Sequence, residues 1–272
     1  MHTRLRLCWR AARLIVHIAA GLAAALALRL DPSGRLQPEP IAQRWSRRLL
    51  RILDIRVRVC GTPVAGARLT VANHVSWLDI PLLAACAPTR FVAKSEIRDW
   101  PLAGGLASAA GTFYIRRGKG GARPVVDRLV PYLAGACAAQ VAPKVTPNVT
   151  LFPEGTTTDG RQVLDFHARL FAAAIEAGVP VQPAALRYGC DAEDRDLAPF
   201  VGDDDLFRHI LRLLRSRGLQ AELIWCAPIP SAQAERGALA AEAEQAVRAA
   251  LQLNAPAPGR QGQREAVGLA AA

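Results

Sequence analysis

"RLTVANHVSWLDIPLLAAC", residues 68–86, places a short apolar run, a polar connection and a second apolar run side by side. Residues 68–72 read as a strand and residues 80–86 as a helix. Pro81 suits a helix's first turn, and Asp79 is a residue type that caps helix N-termini. His74 and Asp79 fall in the connection, five positions apart. On one continuous helix they would point about 140° away from each other. On one continuous strand they would lie about 17 Å apart. Only a strand, a turn and a new helix can bring the carboxylate to the imidazole. Asp79 would then fix the tautomer of His74 and stabilise its imidazolium, leaving the other ring nitrogen as a general base. Spacing alone also admits, and by itself favours, a plainer arrangement in which Asp79 caps the helix and His74 decorates the loop.

Outward from this stretch the same alternation continues. Strands are expected at 55–59, 90–93, 112–115, 149–152, 179–186 and 221–226 in addition to 68–72, with helices at about 80–86, 100–109, 122–139, 166–177, 204–217 and 233–252. Strands alternating with helices argue for an α/β fold, a mixed and mostly parallel sheet flanked by helices. Asp203, Asp204 and Asp205 read as the start of the helix at 206. The tail from 254 to 272 reads as disordered.

Charge is concentrated at the start of the chain. Of the formal net charge of +11, twelve arginines against Asp31, Glu39 and Asp54 place +9 within residues 1–60. Such a region attracts anionic lipid, nucleic acid or an acidic carrier protein. The uncharged run "LIVHIAAGLAAALAL", residues 14–28, points to lipid. As a helix it extends about 22 Å, short of a bilayer's hydrocarbon core, so it either spans with snorkelling flanks or lies in the interface. A cleaved signal peptide with a small-x-small site at Ala25 and Ala27 is the competing reading. Residues 41–53 add a basic amphipathic helix, with Ile41, Trp45, Leu49, Ile52 and Leu53 apolar and Arg44, Arg47, Arg48 and Arg51 facing elsewhere. The expected organisation is therefore a membrane-associated two-helix segment over 1–58, an α/β domain over 59–253 and the tail.

Several chemistries find no support. Six scattered cysteines contain no CxxC pair, which argues against zinc or a disulfide scaffold, and Cys86 reads as a buried thiol. There is no G-x-S-x-G elbow, and "RRGKGG" at 116–121 lacks the P-loop pattern. Aromatics are only 6% of the chain and no nucleic-acid motif occurs, so no nucleic-acid partner is expected. No metal and no cofactor are expected. His17 and His209 read as structural or interfacial, and His167, in "LDFHARLF", as packed or donor-contacting.

Four blocks follow one another in order: "NHVSWLD" at 73–79, "GTFYIRR" at 111–117, "FPEGTTTDG" at 152–160 and "VPVQPAALRY" at 179–188. In this order and spacing they resemble the lysophosphatidic acid acyltransferase family, the glycerophospholipid acyltransferases, over roughly residues 70–190. The resemblance implies that His74 and Asp79 are the catalytic pair, with His74 deprotonating a lysolipid hydroxyl that attacks an acyl thioester directly. It implies that Arg117 contacts the acceptor's phosphate, that Glu154, Gly155 and Thr156 form an acceptor-binding turn, and that 179–184 is a structural strand. Lys94 is a further candidate for the acceptor. The expected donor is a thioester of acyl carrier protein or coenzyme A, used as co-substrate. The expected acceptor is a membrane lipid, 1-acylglycerol 3-phosphate giving phosphatidic acid, with lyso-ornithine lipid as the alternative. The expected location is an anionic membrane surface at the cytoplasmic face of the cell membrane. One departure stands out: relatives that use lysophosphatidate often read FPEGTR, and here Thr157 occupies the position of that arginine. A reading of another class, a non-catalytic peripheral membrane protein, accounts for the N-terminal charge but not for the four ordered blocks.

Overall fold

A computed structural model describes residues 2–31, 33–116, 121–135 and 145–253. The tail from 254, Arg117 and Lys119 lie outside the described residues, as does the end of the helix expected at 122–139.

Strand β2 (Arg68–Ala72) lies at the centre, with all five residues buried. Its two neighbours are β5 (Asn148–Leu151) and β6 (Val181–Tyr188), both parallel to it. Leu69 and Val71 point into one apolar core, shared with Val149, Leu151 and Phe171. Ala72 points into a second core with Leu82, Leu83 and Leu186. A parallel strand covered on both faces has no polar side to present, which is why this stretch carries no alternating charge. Beyond β5 come β3 (Arg90–Lys94) and β4 (Phe113–Ile115), and beyond β6 come β7 (Leu219–Trp225) and β1 (Ile55–Cys60). Five of the six ladders are parallel; β7 runs antiparallel to β6 and carries β1 with it. The sheet is mixed and mostly parallel, as expected. The carboxyl ends of β2, β3, β4, β5 and β6 therefore share one edge with the amino ends of β1 and β7.

The first core is covered by α5 (Arg123–Leu133), α6 (Ala172–Ala177) and α8 (Arg236–Ala250); the second by α2 (Pro38–Ile52), α3 (Asp79–Cys86) and α7 (Leu206–Arg215). Asp205 caps α7, accepting from Arg208 N at 2.8 Å. Helix α4 (Ala103–Ala109) lies beside α1 (His2–Arg29). Cys86 is half-buried rather than fully buried, and desolvation pushes its thiol up to about 11.

Helix α1 is longer than the apolar run alone suggests. It is a 28-residue helix because the arginines before residue 14 are themselves good helix formers and one of them is anchored. Arg10 is buried, donating to Leu214 O and Ser216 O at the end of α7 and pairing with Asp54 at 2.6 Å. Leu14, His17 and Gly21 continue this docked face. A Cβ on Gly21 would come within 2.5 Å of Trp45 Nε1, so a glycine is what lets α2 approach. Trp45 donates to His17 O at 3.1 Å and stacks on its ring. Leu5, Trp9, Val16 and Leu26 form an exposed apolar stripe on the opposite side. Over Arg4–Arg29 the helix is long and apolar enough to cross a membrane. The division expected after residue 58 falls inside β1, and α2 contributes Leu49, Leu50 and Ile52 to the second core.

Candidate active site

The strand, turn and helix of residues 68–86 fold as the spacing required. Strand β2 ends at Ala72 and Asn73 pins that end, donating to Leu186 O and accepting from Leu186 N. The chain then turns, and α3 starts at Asp79. His74 Nδ1 lies 2.7 Å from Asp79 Oδ2. The same oxygen accepts from Val75 N at 2.7 Å and Ser76 N at 2.9 Å, while Tyr188 Oη donates to Oδ1 at 2.7 Å. The capping role considered for Asp79 is not what the structure contains. Asp79 makes no side-chain cap to α3; its carboxylate faces backwards and closes the turn that carries His74. The reason is geometric: Asp79 already has helical geometry, and the free N–H groups that meet it belong to the turn.

The imidazole is held on one edge and one face. Asp79 takes Nδ1, Phe152 stacks on the ring at 4.0 Å between centroids and 13° between planes, and Phe91 stacks behind Phe152 at 6.3 Å. The His74 backbone is held as firmly, since its N–H donates to Glu154 Oε1 and its carbonyl accepts from Thr158 N at 2.8 Å. With Nδ1–H donated to a carboxylate, Nε2 keeps its lone pair, and it meets no partner among the described residues. The side chain is 18% exposed, and the site lies at the carboxyl edge of β2 and β5, where open α/β sheets place their ligands. This arrangement can accept a proton from a hydroxyl brought to that edge.

Glu154 is buried and spends one oxygen on His74 N at 2.7 Å and the other on Leu164 N at 2.8 Å. It therefore staples two loops, the backbone-turn role left open by the sequence. Burial pushes its carboxyl up to about 7, against the pull of those two N–H groups. Gly155 has φ +71°, a left-handed turn that glycine adopts without strain, and the space a Cβ would fill faces His167. His167 is exposed rather than packed, because in this extended segment Phe166 turns into the first core and its neighbours Asp165 and His167 face outward. Thr156 is exposed on the same turn and Thr157 is half-buried. Lys94 ends β3 on this edge, beyond β5 from β2. Arg117, outside the described residues, follows exposed Arg116 at the end of β4. Among the described residues no three His, Cys, Asp or Glu side chains are grouped to hold a metal ion.

Two further contributors carry no local signal in the sequence. Phe152 and Tyr188 each stand within one of the four blocks, but nothing near them in the chain shows that one stacks on His74 and the other reaches Asp79. His209 is structural: Trp77 Nε1 donates to its Nδ1 at 2.9 Å, which ties the turn to α7.

Residues 56–187 match the family model described as Acyltransferase. A lyso-ornithine lipid O-acyltransferase of Pseudomonas aeruginosa is 46% identical over 254 residues, covering 91% of this chain and 94% of that one. A 1-acyl-sn-glycerol-3-phosphate acyltransferase of Neisseria meningitidis is 34% identical over 207 residues, covering 75% and 77%. The crystal structure of the 1-acyl-sn-glycerophosphate acyltransferase from Thermotoga maritima shares the fold, with a TM-score of 0.64 at 19% identity over 92% of this chain and 95% of that one.

Proposed function

This chain belongs to the acyltransferase family and acts on lysolipids, and from that premise we propose that its acceptor is a lyso-ornithine lipid. The observation that carries this reading is Thr157. The turn built by Glu154, Gly155 and Thr156 offers a hydroxyl where lysophosphatidate-using relatives often carry an arginine. An ornithine headgroup is a zwitterion whose carboxylate is balanced by its own ammonium, so it lacks the uncompensated phosphate charge that an arginine at that position would meet. The 46% identity to a lyso-ornithine lipid O-acyltransferase supports the same choice. The second reading is 1-acyl-sn-glycerol 3-phosphate as acceptor, supported by the 34% identical relative.

In the proposed reaction His74 Nε2 takes the proton from the acceptor hydroxyl as its oxygen attacks the thioester carbonyl. The tetrahedral oxyanion collapses, the C–S bond breaks, and the leaving thiolate takes the proton back from the imidazolium. Asp79 stabilises the imidazolium and keeps Nε2 aimed outward through the Nδ1 contact. Base catalysis of this kind supplies about 10²–10⁴-fold; holding the two substrates together supplies much of the rest. The donor is a thioester of acyl carrier protein or coenzyme A. Because such donors are made in the cytoplasm, the reading places the sheet edge at the cytoplasmic face, with α1 in the membrane.

Detergent-purified protein offered each acceptor with each donor, and products identified by mass, tests this reading. Acylated ornithine lipid formed by the wild type and not by His74→Ala is expected. Phosphatidic acid alone would move the acceptor and keep the mechanism. No product from folded protein would leave a non-catalytic membrane-binding role.

A further inference from the structure

Two adjoining cavities of about 300 and 600 Å³ open on the same sheet edge as His74 but on the other side of β6, where β7 and β1 begin. They share Arg6 and Arg217 and so form one groove, within the size range of small-ligand clefts. Arg4, Arg6, Arg56, Arg215 and Arg217 line it, and none of the five has a carboxylate partner among the described residues. The acids that line it are already occupied. Asp54 is held by Arg10 and by Gly218 N, Asp191 by Arg195, and Glu193 by Arg195. Five uncompensated guanidiniums converging on a concave surface make a site for a polyanion, because a fork of N–H donors matches phosphate oxygens two at a time.

Three features connect this groove to the proposed reaction. Tyr188, which holds Asp79, is the last residue of β6, and the chain enters the groove wall at Asp191 three residues later. That wall leads on to Phe200, whose N–H donates to Val75 O in the turn beside His74. The amino ends of β7 and β1 are two and three strands from β2, about 10 and 14 Å at ordinary strand spacing. Arg6 also stands one turn before buried Arg10, on the docked face of α1, turned away from the apolar stripe of Leu5, Trp9 and Val16. The groove therefore opens on the domain side of α1 and not on the side that suits lipid.

We propose that this arginine groove binds the phosphorylated arm of the acyl thioester donor, leaving the thioester to reach across β6 to His74. The shared chemistry is a phosphopantetheine thioester, free as coenzyme A or carried on a protein. This inference rests on the proposed acyl transfer.

The test uses the full-length protein, with Arg215→Glu/Arg217→Glu as the charge-reversed variant and Arg56→Gln as a milder one. All three side chains are exposed, so folding is expected to survive, and Arg236→Glu on α8 controls for net charge. The donor KM is expected to rise about tenfold or more in the double variant and less in Arg56→Gln, with the lysolipid KM unmoved. Raising ionic strength should raise the donor KM of the wild type and affect the double variant less. Parallel assays with acyl-coenzyme A and acyl carrier protein identify the source: an effect on either supports the groove and names its ligand. Direct titration with coenzyme A provides a reading independent of turnover. Donor KM values unchanged with both donors would overturn the proposal, and so would weakened binding to anionic vesicles in their place. A wild type that turns over no donor removes the acyl-transfer reading itself; a turning-over wild type with unaffected variants removes only the groove.

Discussion

Tyr188 Oη donates to Asp79 Oδ1 at 2.7 Å, on the oxygen opposite the one that holds His74, and the two residues are 109 positions apart. Burial foremost, and then the charge of Asp79, push the Tyr188 hydroxyl well above its usual range, so it remains a donor at any working pH. The end of β6 thereby sets the far side of the carboxylate that orients the imidazole. Tyr188→Phe should leave one buried carboxylate oxygen without a partner and cost about 1–3 kcal/mol of stability. Turnover should fall about tenfold with little change in acceptor KM, because the imidazole is less firmly aimed. Thermal melting and steady-state kinetics on one preparation check both parts.

His74→Ala should reduce turnover by about 10²–10⁴-fold. It should keep the fold, because the side chain lies at the sheet edge and its backbone bonds to Glu154 and Thr158 survive. Asp79→Asn should lose activity on a similar scale for a different reason. An amide nitrogen placed at Oδ2 would face three donors, and an amide oxygen placed there would turn the nitrogen toward Tyr188 Oη, which the hydroxyl can meet only by rotating. Near-ultraviolet circular dichroism separates loss of chemistry from loss of structure.

Glu154 connects stability to pH. Its folded value, about 7, lies above the ordinary 4.5, so the folded protein binds the proton more tightly than the unfolded chain. Its contribution to stability is present below about pH 4.5 and is lost as pH rises toward 7, by no more than about 3 kcal/mol. Glu154→Gln should flatten this part of the profile. It should also lower activity, since a glutamine offers only one acceptor oxygen to His74 N and Leu164 N. Melting temperatures at pH 5, 6, 7 and 8 for both proteins make the comparison.

Arg10→Ala should strip donors from Leu214 O and Ser216 O and leave Asp54 without its ion pair. A cost of about 2–4 kcal/mol is expected, with the start of α1 released from α7. Faster tryptic cleavage at Arg4 and Arg6 together with a lower melting temperature is the expected outcome.

Thr157→Arg supplies the charge that the third block lacks. If the acceptor turn reads phosphate, the variant should use 1-acyl-sn-glycerol 3-phosphate about tenfold better than the wild type. Acylation of lyso-ornithine lipid should not improve. Competition between the two acceptors in one assay measures the shift.

Strand positions, the order of the four blocks and the strand–turn–helix that can bring Asp79 to His74 follow from residues near one another in the chain. Alternation within a buried strand, the helix preference of residues 80–86 and the need for a turn between them act over a few positions. The amino acid sequence therefore determined by itself an α/β fold with a candidate base at the end of a strand. It did not determine that β7 reverses beside β6, which is what brings Arg56 and Arg217 to the edge that carries His74. Nor did it show that Asp79 closes its own turn rather than capping α3, or that Glu154 holds the backbone of two loops at once. Those outcomes depend on strand order and on which N–H groups are left unpaired once the sheet has formed. The β6–β7 pairing and the bond from His74 N to Glu154 join residues tens of positions apart, and periods of 2 and 3.6 residues carry no record of such distances; the Asp79 turn is local, but which N–H groups its carboxylate meets was decided only by the tertiary structure.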